Sequence, residues 1–314
     1  MKTGSIAIVA LGLLGAFGLS PSAAQAETAE EIVSKALAAR GGLDKIKSVE
    51  TERISGTISL GPGAVGPFEV ELKRPGKMHA EFTFAGQTLI RTYDGRSGWV
   101  LNPFTGNKEA QPMSAEDMHS ISDESDFDGP LVDYQSKGGQ IAFVRKEELE
   151  GTSVYRLKLT QKNGEVRFYL FDTSSFELHK GETTRTIEGK AYPVETYFSD
   201  YRDVGGLKFA YRIQSRSEGQ DQQQNITIDK IELNAPIDDS RFAKPVPPAS
   251  LTTPTSSSPA PPALPDNDPG NPVECGSSIA VSRKRLPRTG STTGEFALNE
   301  ISAAGQTAKQ QFAA

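Results

Sequence analysis

From Phe68 to about Ile228, apolar and polar residues alternate along most of the chain. Phe68, Val70 and Leu72 share one parity, with Glu69, Glu71 and Lys73 on the other. Met78, Ala80, Phe82 and Phe84 then stand opposite Lys77, His79, Glu81 and Thr83. Tyr155, Leu157 and Leu159 alternate with Arg156 and Lys158. Val166, Phe168 and Leu170 follow, then Leu207, Phe209, Tyr211 and Ile213, and Ile226 and Ile228 begin a last strand. A period of two is the signature of strands with one buried face. Arg74-Pro75-Gly76, Asp94-Gly95, Asn163-Gly164 and Gly205-Gly206 are turn signals between such runs, and strands separated so briefly pair as antiparallel hairpins.

Two stretches have helical spacing instead. Residues 27–47 carry Ile32, Val33, Ala36, Leu37 and Ile46, with acids early and bases late, as the helix dipole favours. Gly41-Gly42 divides this stretch into a main helix and a short second turn. Ser114 opens Ser-Ala-Glu-Asp, an N-cap followed by first-turn acids, so a second helix is expected from Ser114 to about Ser125. The fold class is therefore mainly β with few helices (α+β): one large curved antiparallel sheet, a half-barrel of about ten or eleven strands, covered by one or two helices. So few helices cannot fill the concavity of so wide a sheet at core density, which predicts an apolar hollow.

The ends differ from this middle. Lys2, an apolar run from Ile6 to Leu19 and Ala24-Gln25-Ala26 read as a secretory signal cleaved after Ala26. The run is shorter than the roughly 20 residues of a spanning helix. Residues 27–245 form the expected domain, and residues 246–314 a disordered tail rich in Pro, Ser and Thr. Leu286-Pro287-Arg288-Thr289-Gly290 matches a sortase pattern, but no apolar span and basic end follow, so it reads as coincidence. Cys275 is the one cysteine, which rules out an intramolecular disulfide. The net charge of −6 and the lack of a basic stripe argue against nucleic acid as a partner.

Catalytic and metal signatures are missing. His79, His119 and His179 are scattered, none with an i,i+4 partner or a Cys or His companion, and the acids from Glu116 to Asp128 read as a solvated face, so no metal site is expected. Gly95-Arg96-Ser97-Gly98 lacks nucleophile-elbow spacing, no phosphate loop occurs, and adjacent carboxylates such as Glu147-Glu148 and Asp238-Asp239 would point to opposite faces of a strand. The expectation is a non-enzyme without cofactors.

Lys73-Arg74-Pro75-Gly76-Lys77-Met78, Tyr93-Asp94-Gly95 and Trp99-Val100-Leu101-Asn102-Pro103, in that order and spacing, resemble the LolA-type lipoprotein carriers (LolA/LolB/LppX-type half-barrels). Phe198-Ser199-Asp200-Tyr201 and Ile237-Asp238 extend the resemblance more loosely. It implies a periplasmic carrier that holds a lipid or lipoprotein acyl chains under a helical lid, in transient contact with membranes, for sorting to the outer membrane. It further implies that Arg74 points inward and hydrogen-bonds lid backbone; independently, Arg74 shares the parity of the apolar face. The expected lining is Arg74, Phe68, Val70, Leu72, Met78, Phe82, Phe84, Trp99, Phe168, Leu170, Phe209 and Tyr211. The alternative is a lipid-sensing regulatory module, resembling RseB, that signals to an envelope protein partner, with the Pro-rich tail reaching that partner.

Overall fold

The computed structural model describes residues 27–61, 63–126, 128–187, 190–217 and 223–246. The signal-like segment with its cleavage site lies outside these residues, as do Cys275, the sortase-like pattern and all the tail beyond Val246.

Helix α1 (Ala29–Arg40) begins on a capping box. Thr28 Oγ accepts from the Glu31 amide, and Glu31 reaches back to the Thr28 amide. It stops at Gly41, whose φ of 134° suits no side chain. A Cβ there would also stand 2.3 Å from the Gly206 carbonyl oxygen. Helix α2 (Leu43–Lys47) is the expected second turn. Helix α3 (Ala115–Glu124) is capped by Ser114, which accepts from the Asp117 amide.

The strands are β1 (Thr51–Ser59), β2 (Val65–Lys73), β3 (Lys77–Phe84), β4 (Gln87–Tyr93), β5 (Gly98–Leu101), β6 (Gln111–Pro112), β7 (Gln140–Leu149), β8 (Thr152–Thr160), β9 (Val166–Asp172), β10 (Leu178–Ile187), β11 (Lys190–Val204), β12 (Leu207–Ser217) and β13 (Gln223–Leu233). They form one antiparallel sheet in the order β6-β5-β4-β3-β2-β1-β13-β12-β11-β10-β9-β8-β7. Thirteen strands exceed the ten or eleven expected. Two-residue β6 is too short to show a period, β7 is exposed along most of both faces, and β10 carries a run of polar residues. All four turn signals are hairpins.

Each strand but one step pairs with its chain neighbour, and β1 closes on β13. The sheet remains open, with β6 and β7 as its two edges. Residues 113–139 join those edges, and α3 lies in this connection. Topology therefore draws α3 across the mouth of the sheet.

One face carries the main core, where Ile54, Ile58, Phe68, Val70, Leu72, Met78, Phe82, Leu89, Leu157 and Phe171 meet Ile32, Val33 and Ala36 of α1 and Ile121 of α3. Gly56 lets β1 approach its neighbour: a Cβ would fall 2.1 Å from the Thr227 carbonyl oxygen, at the register shift between β1 and β13. Replacing Gly56 by Ala should cost about 2 kcal/mol or more, since backbone has to move. Denaturant unfolding measures it, and an unchanged midpoint would contradict this packing.

Candidate functional site

The core face is apolar except where arginines and acids interrupt it, and most of those interruptions meet α3 or the segment after it. Arg91 shares its face with Leu89 and Tyr93 on β4, and its guanidinium reaches Glu124 of α3 at 2.8 Å, with both residues shut from water. Ser120 Oγ donates to the same carboxylate at 2.8 Å. Across the mouth, Arg167 of β9 donates to Asp123 of α3 at 3.0 Å and to Glu165 at 3.0 Å. Arg74, past the end of β2, donates to the Val49 carbonyl (2.7 Å) and the Ile46 carbonyl (3.2 Å), and grips Asp128 through both oxygens at 3.0 and 2.5 Å. Two strand arginines and one from the β2–β3 turn thus hold α3 and its continuation over the core. Of α3's own side chains only Ile121, Ser120 and Glu124 are buried.

Charge follows geometry. Hydrogen bonding to Asp128 raises the Arg74 pKa, and although burial pushes Asp128 upward, Arg74 holds that carboxyl below its usual value. Glu52 differs. It lies on the core face of β1 beside Leu72, fully buried, and its Oε1 has no hydrogen-bond partner among the described residues. Burial pushes its pKa up to about 8, against the opposing field of Arg40 at the end of α1.

Beside α3 lies a half-open cavity of about 500 Å³. Asp123, Asp126, Pro130, Tyr134, Lys137 and Gly139 form its helix side, and Leu159, Gln161, Lys162, Asn163 and Arg167 its sheet side. Lys137 is committed within this wall, to Asp126 and the Gly129 carbonyl.

The twelve residues expected to line a hollow fall into three groups. Phe68, Val70, Leu72, Met78, Phe82, Phe84, Phe209 and Tyr211 belong to the packed core, and none of them lines the cavity. Trp99, Phe168 and Leu170 are on the opposite face of the sheet. Trp99 pairs with Thr92 and lies under Lys244, Phe168 pairs with Lys158 and lies under Arg156, and Leu170 pairs with Arg156 and Lys180. On β9 both parities are apolar, so alternation chose the wrong one: Tyr169 and Phe171 face the core. Arg74 is the third case, joined to the backbone around α2 and to Asp128.

Sequence reasoning passed over Arg91, Arg167 and Glu52, and took Asp123 and Glu124 as part of a solvated acidic face, whereas they pair with Arg167 and Arg91. The parity of Arg91 with Leu89 and Tyr93, and of Glu52 with Ile54, was a usable signal; nothing local marked Glu124. His119 and Asp123 are four apart on α3, against the expectation that no histidine has an i,i+4 partner. His79, placed on the polar face, is buried there, its Nδ1 donating to the Arg241 carbonyl at 2.7 Å. Asp238 and Asp239 lie at the start of a 3-10 turn and not on a strand.

No family model matches the chain, and no curated protein does. Among solved structures it is similar to a LolA superfamily protein from Nitrosomonas europaea, at 15% identity over 70% of this chain and 99% of that one, with a TM-score of 0.48. An outer membrane lipoprotein-sorting protein domain from Vibrio parahaemolyticus aligns at 11% identity over 68% and 94% (TM-score 0.45). Lipoprotein LppX from Mycobacterium tuberculosis aligns at 12% identity over 67% and 98% (TM-score 0.31). These similarities concern the fold.

Glu52 makes stability depend on pH in a defined direction. Its carboxyl is held neutral in the fold, with a pKa near 8 against 4.5 when exposed. Its contribution is fully present below pH 4.5 and is lost as pH rises through about 8. The loss should be on the order of a few kcal/mol. Unfolding free energy measured between pH 5 and 9 should fall for the parent and stay flatter for Glu52→Gln; equal slopes would refute a neutral buried Glu52.

Proposed function

We propose that this chain is an exported, non-enzymatic carrier that takes lipid or lipoprotein acyl chains into the space between the core face of the sheet and α3. The observation that carries this reading is a helix held by ion pairs, beside a cavity of about 500 Å³, over a broad apolar face. Small-molecule sites range over about 300–1,000 Å³, so the existing cavity admits part of a chain, and moving α3 extends it. The resemblance of the Lys73–Met78, Tyr93–Gly95 and Trp99–Pro103 segments to LolA-type carriers supports the same reading, and with it a periplasmic carrier in membrane contact at loading and release.

Binding would be mostly apolar, at about 0.8 kcal/mol per buried methylene. A C16 chain then gains around 10 kcal/mol before ordering costs, so release has to be coupled to return of the helix. Arg74 links the two states through the Ile46 and Val49 carbonyls and Asp128.

Protein purified from its own envelope should carry a lipid or acylated peptide mass in native mass spectrometry. Arg74→Leu should keep the cargo and transfer it to acceptor vesicles at least about tenfold more slowly, the equivalent of 1.4 kcal/mol. An empty protein that also fails to take up a fluorescent C16 acid would overturn the carrier reading, and normal transfer by Arg74→Leu would remove Arg74 from the gate.

A further inference from the structure

His119 and Asp123 lie one helical turn apart on α3, and Glu165 follows the Asn163-Gly164 turn between β8 and β9. One ligating atom from each of the three lies within 4.8 Å of the others. An imidazole and two carboxylates converging from two elements are a donor set for a first-row divalent ion. Around a tetrahedral ion with metal–ligand bonds of about 2.1 Å, ligand atoms stand about 3.4 Å apart. Closing the remaining gap of about an ångström takes a rotation of His119, which is exposed, with smaller turns of the two carboxylates.

Arg167 prepares the carboxylates. Its guanidinium bonds Asp123 through Oδ2 and Glu165 through Oε1, and leaves Asp123 Oδ1 and Glu165 Oε2 without a hydrogen bond among the described residues. Each carboxylate therefore has one oriented oxygen and one open one, the arrangement by which outer partners fix metal ligands. With one guanidinium against two carboxylates, the site has a net charge of −1 to offer a cation. Tyr169, two residues along the same face of β9, buries its hydroxyl beside Arg167. Burial pushes this phenol up to about 12, Arg167 opposes that shift through its charge and a hydrogen bond, and the charges of Glu165 and Asp123 add to it, so the hydroxyl lies within the field of the same cluster.

We propose that His119, Asp123 and Glu165 form a divalent metal site, with Zn²⁺ the fitting ion, whose filling fastens α3 to the β8–β9 hairpin and closes the mouth of the cavity. The site does not depend on the carrier reading, because its ligands and its effect on α3 can be read without any lipid.

The test uses the full chain with Cys275→Ser, which removes the competing thiol, after treatment with a chelator. Calorimetric titration with Zn²⁺ should show one ion per chain. His119→Ala and Glu165→Gln should each weaken binding at least about tenfold, whereas His179→Ala should bind as the parent does. Zn²⁺ should slow amide hydrogen exchange across residues 115–124 in the parent and leave it unaltered in His119→Ala. Absence of stoichiometric binding, or equal binding by His119→Ala, would overturn the site. So would loss of binding in His179→Ala.

Discussion

Glu124 and Arg91 face each other at 2.8 Å with almost no access to water, and the position of α3 depends on that contact. An ion pair of this kind adds little to net stability, because the cost of stripping water from both groups offsets their attraction. Breaking it is another matter, since one charge is then left buried and alone, at a cost of about 3–5 kcal/mol. The pair therefore specifies where α3 sits more than how tightly it binds. Ile121 adds about 2 kcal/mol of apolar burial, and the partly exposed pairs at Arg167 and Arg74 contribute less than fully buried ones would. A helix placed by polar contacts and weakly cemented by apolar ones has the energetics of a cover.

The same constraint explains the asymmetry of the core. On the β1–β4 side the core includes the aromatic pair Phe68 and Phe82, with ring centroids 6.3 Å apart, while α1 packs against β12 and β7. Toward β8 and β9 the covering elements are the end of α3 and the connection to β7, and there the packing leaves the cavity. Because residues 113–139 must cross from one edge of the sheet to the other, they cannot be pressed into the core along their whole length. Open edges, a crossing segment and an incomplete core are one structural fact seen at three scales.

Much of this was legible in the sequence. Alternation marked the strands around Phe68, Met78, Leu157 and Phe209, and the Gly-containing dipeptides marked the hairpins, because both signals are local. The start of α3 was legible through Ser114, and the first helix through its apolar spacing and early acids; the capping box of Thr28 and Glu31 went unread. Face assignment failed on β9, where Phe168 and Leu170 are as apolar as Tyr169 and Phe171, and at Trp99, whose size suggested the core although its parity matched Thr92. The ion pairs to α3 were hidden for a different reason. Arg91 and Glu124 are 33 residues apart, and Asp123 and Arg167 are 44 apart. No local period reports such a contact; only the topology that carries α3 across the mouth brings the partners together.

Amide hydrogen exchange, followed residue by residue by mass spectrometry or NMR, tests most directly whether α3 is a separable cover. The account predicts that residues 115–124 exchange through an opening several kcal/mol below global unfolding, while β1 to β4 exchange only when the whole domain unfolds. Raising the salt concentration should speed the α3 amides selectively, by screening the outer pairs at Asp123 and Asp128. Exchange of α3 at the global rate, with no selective response to salt, would contradict it.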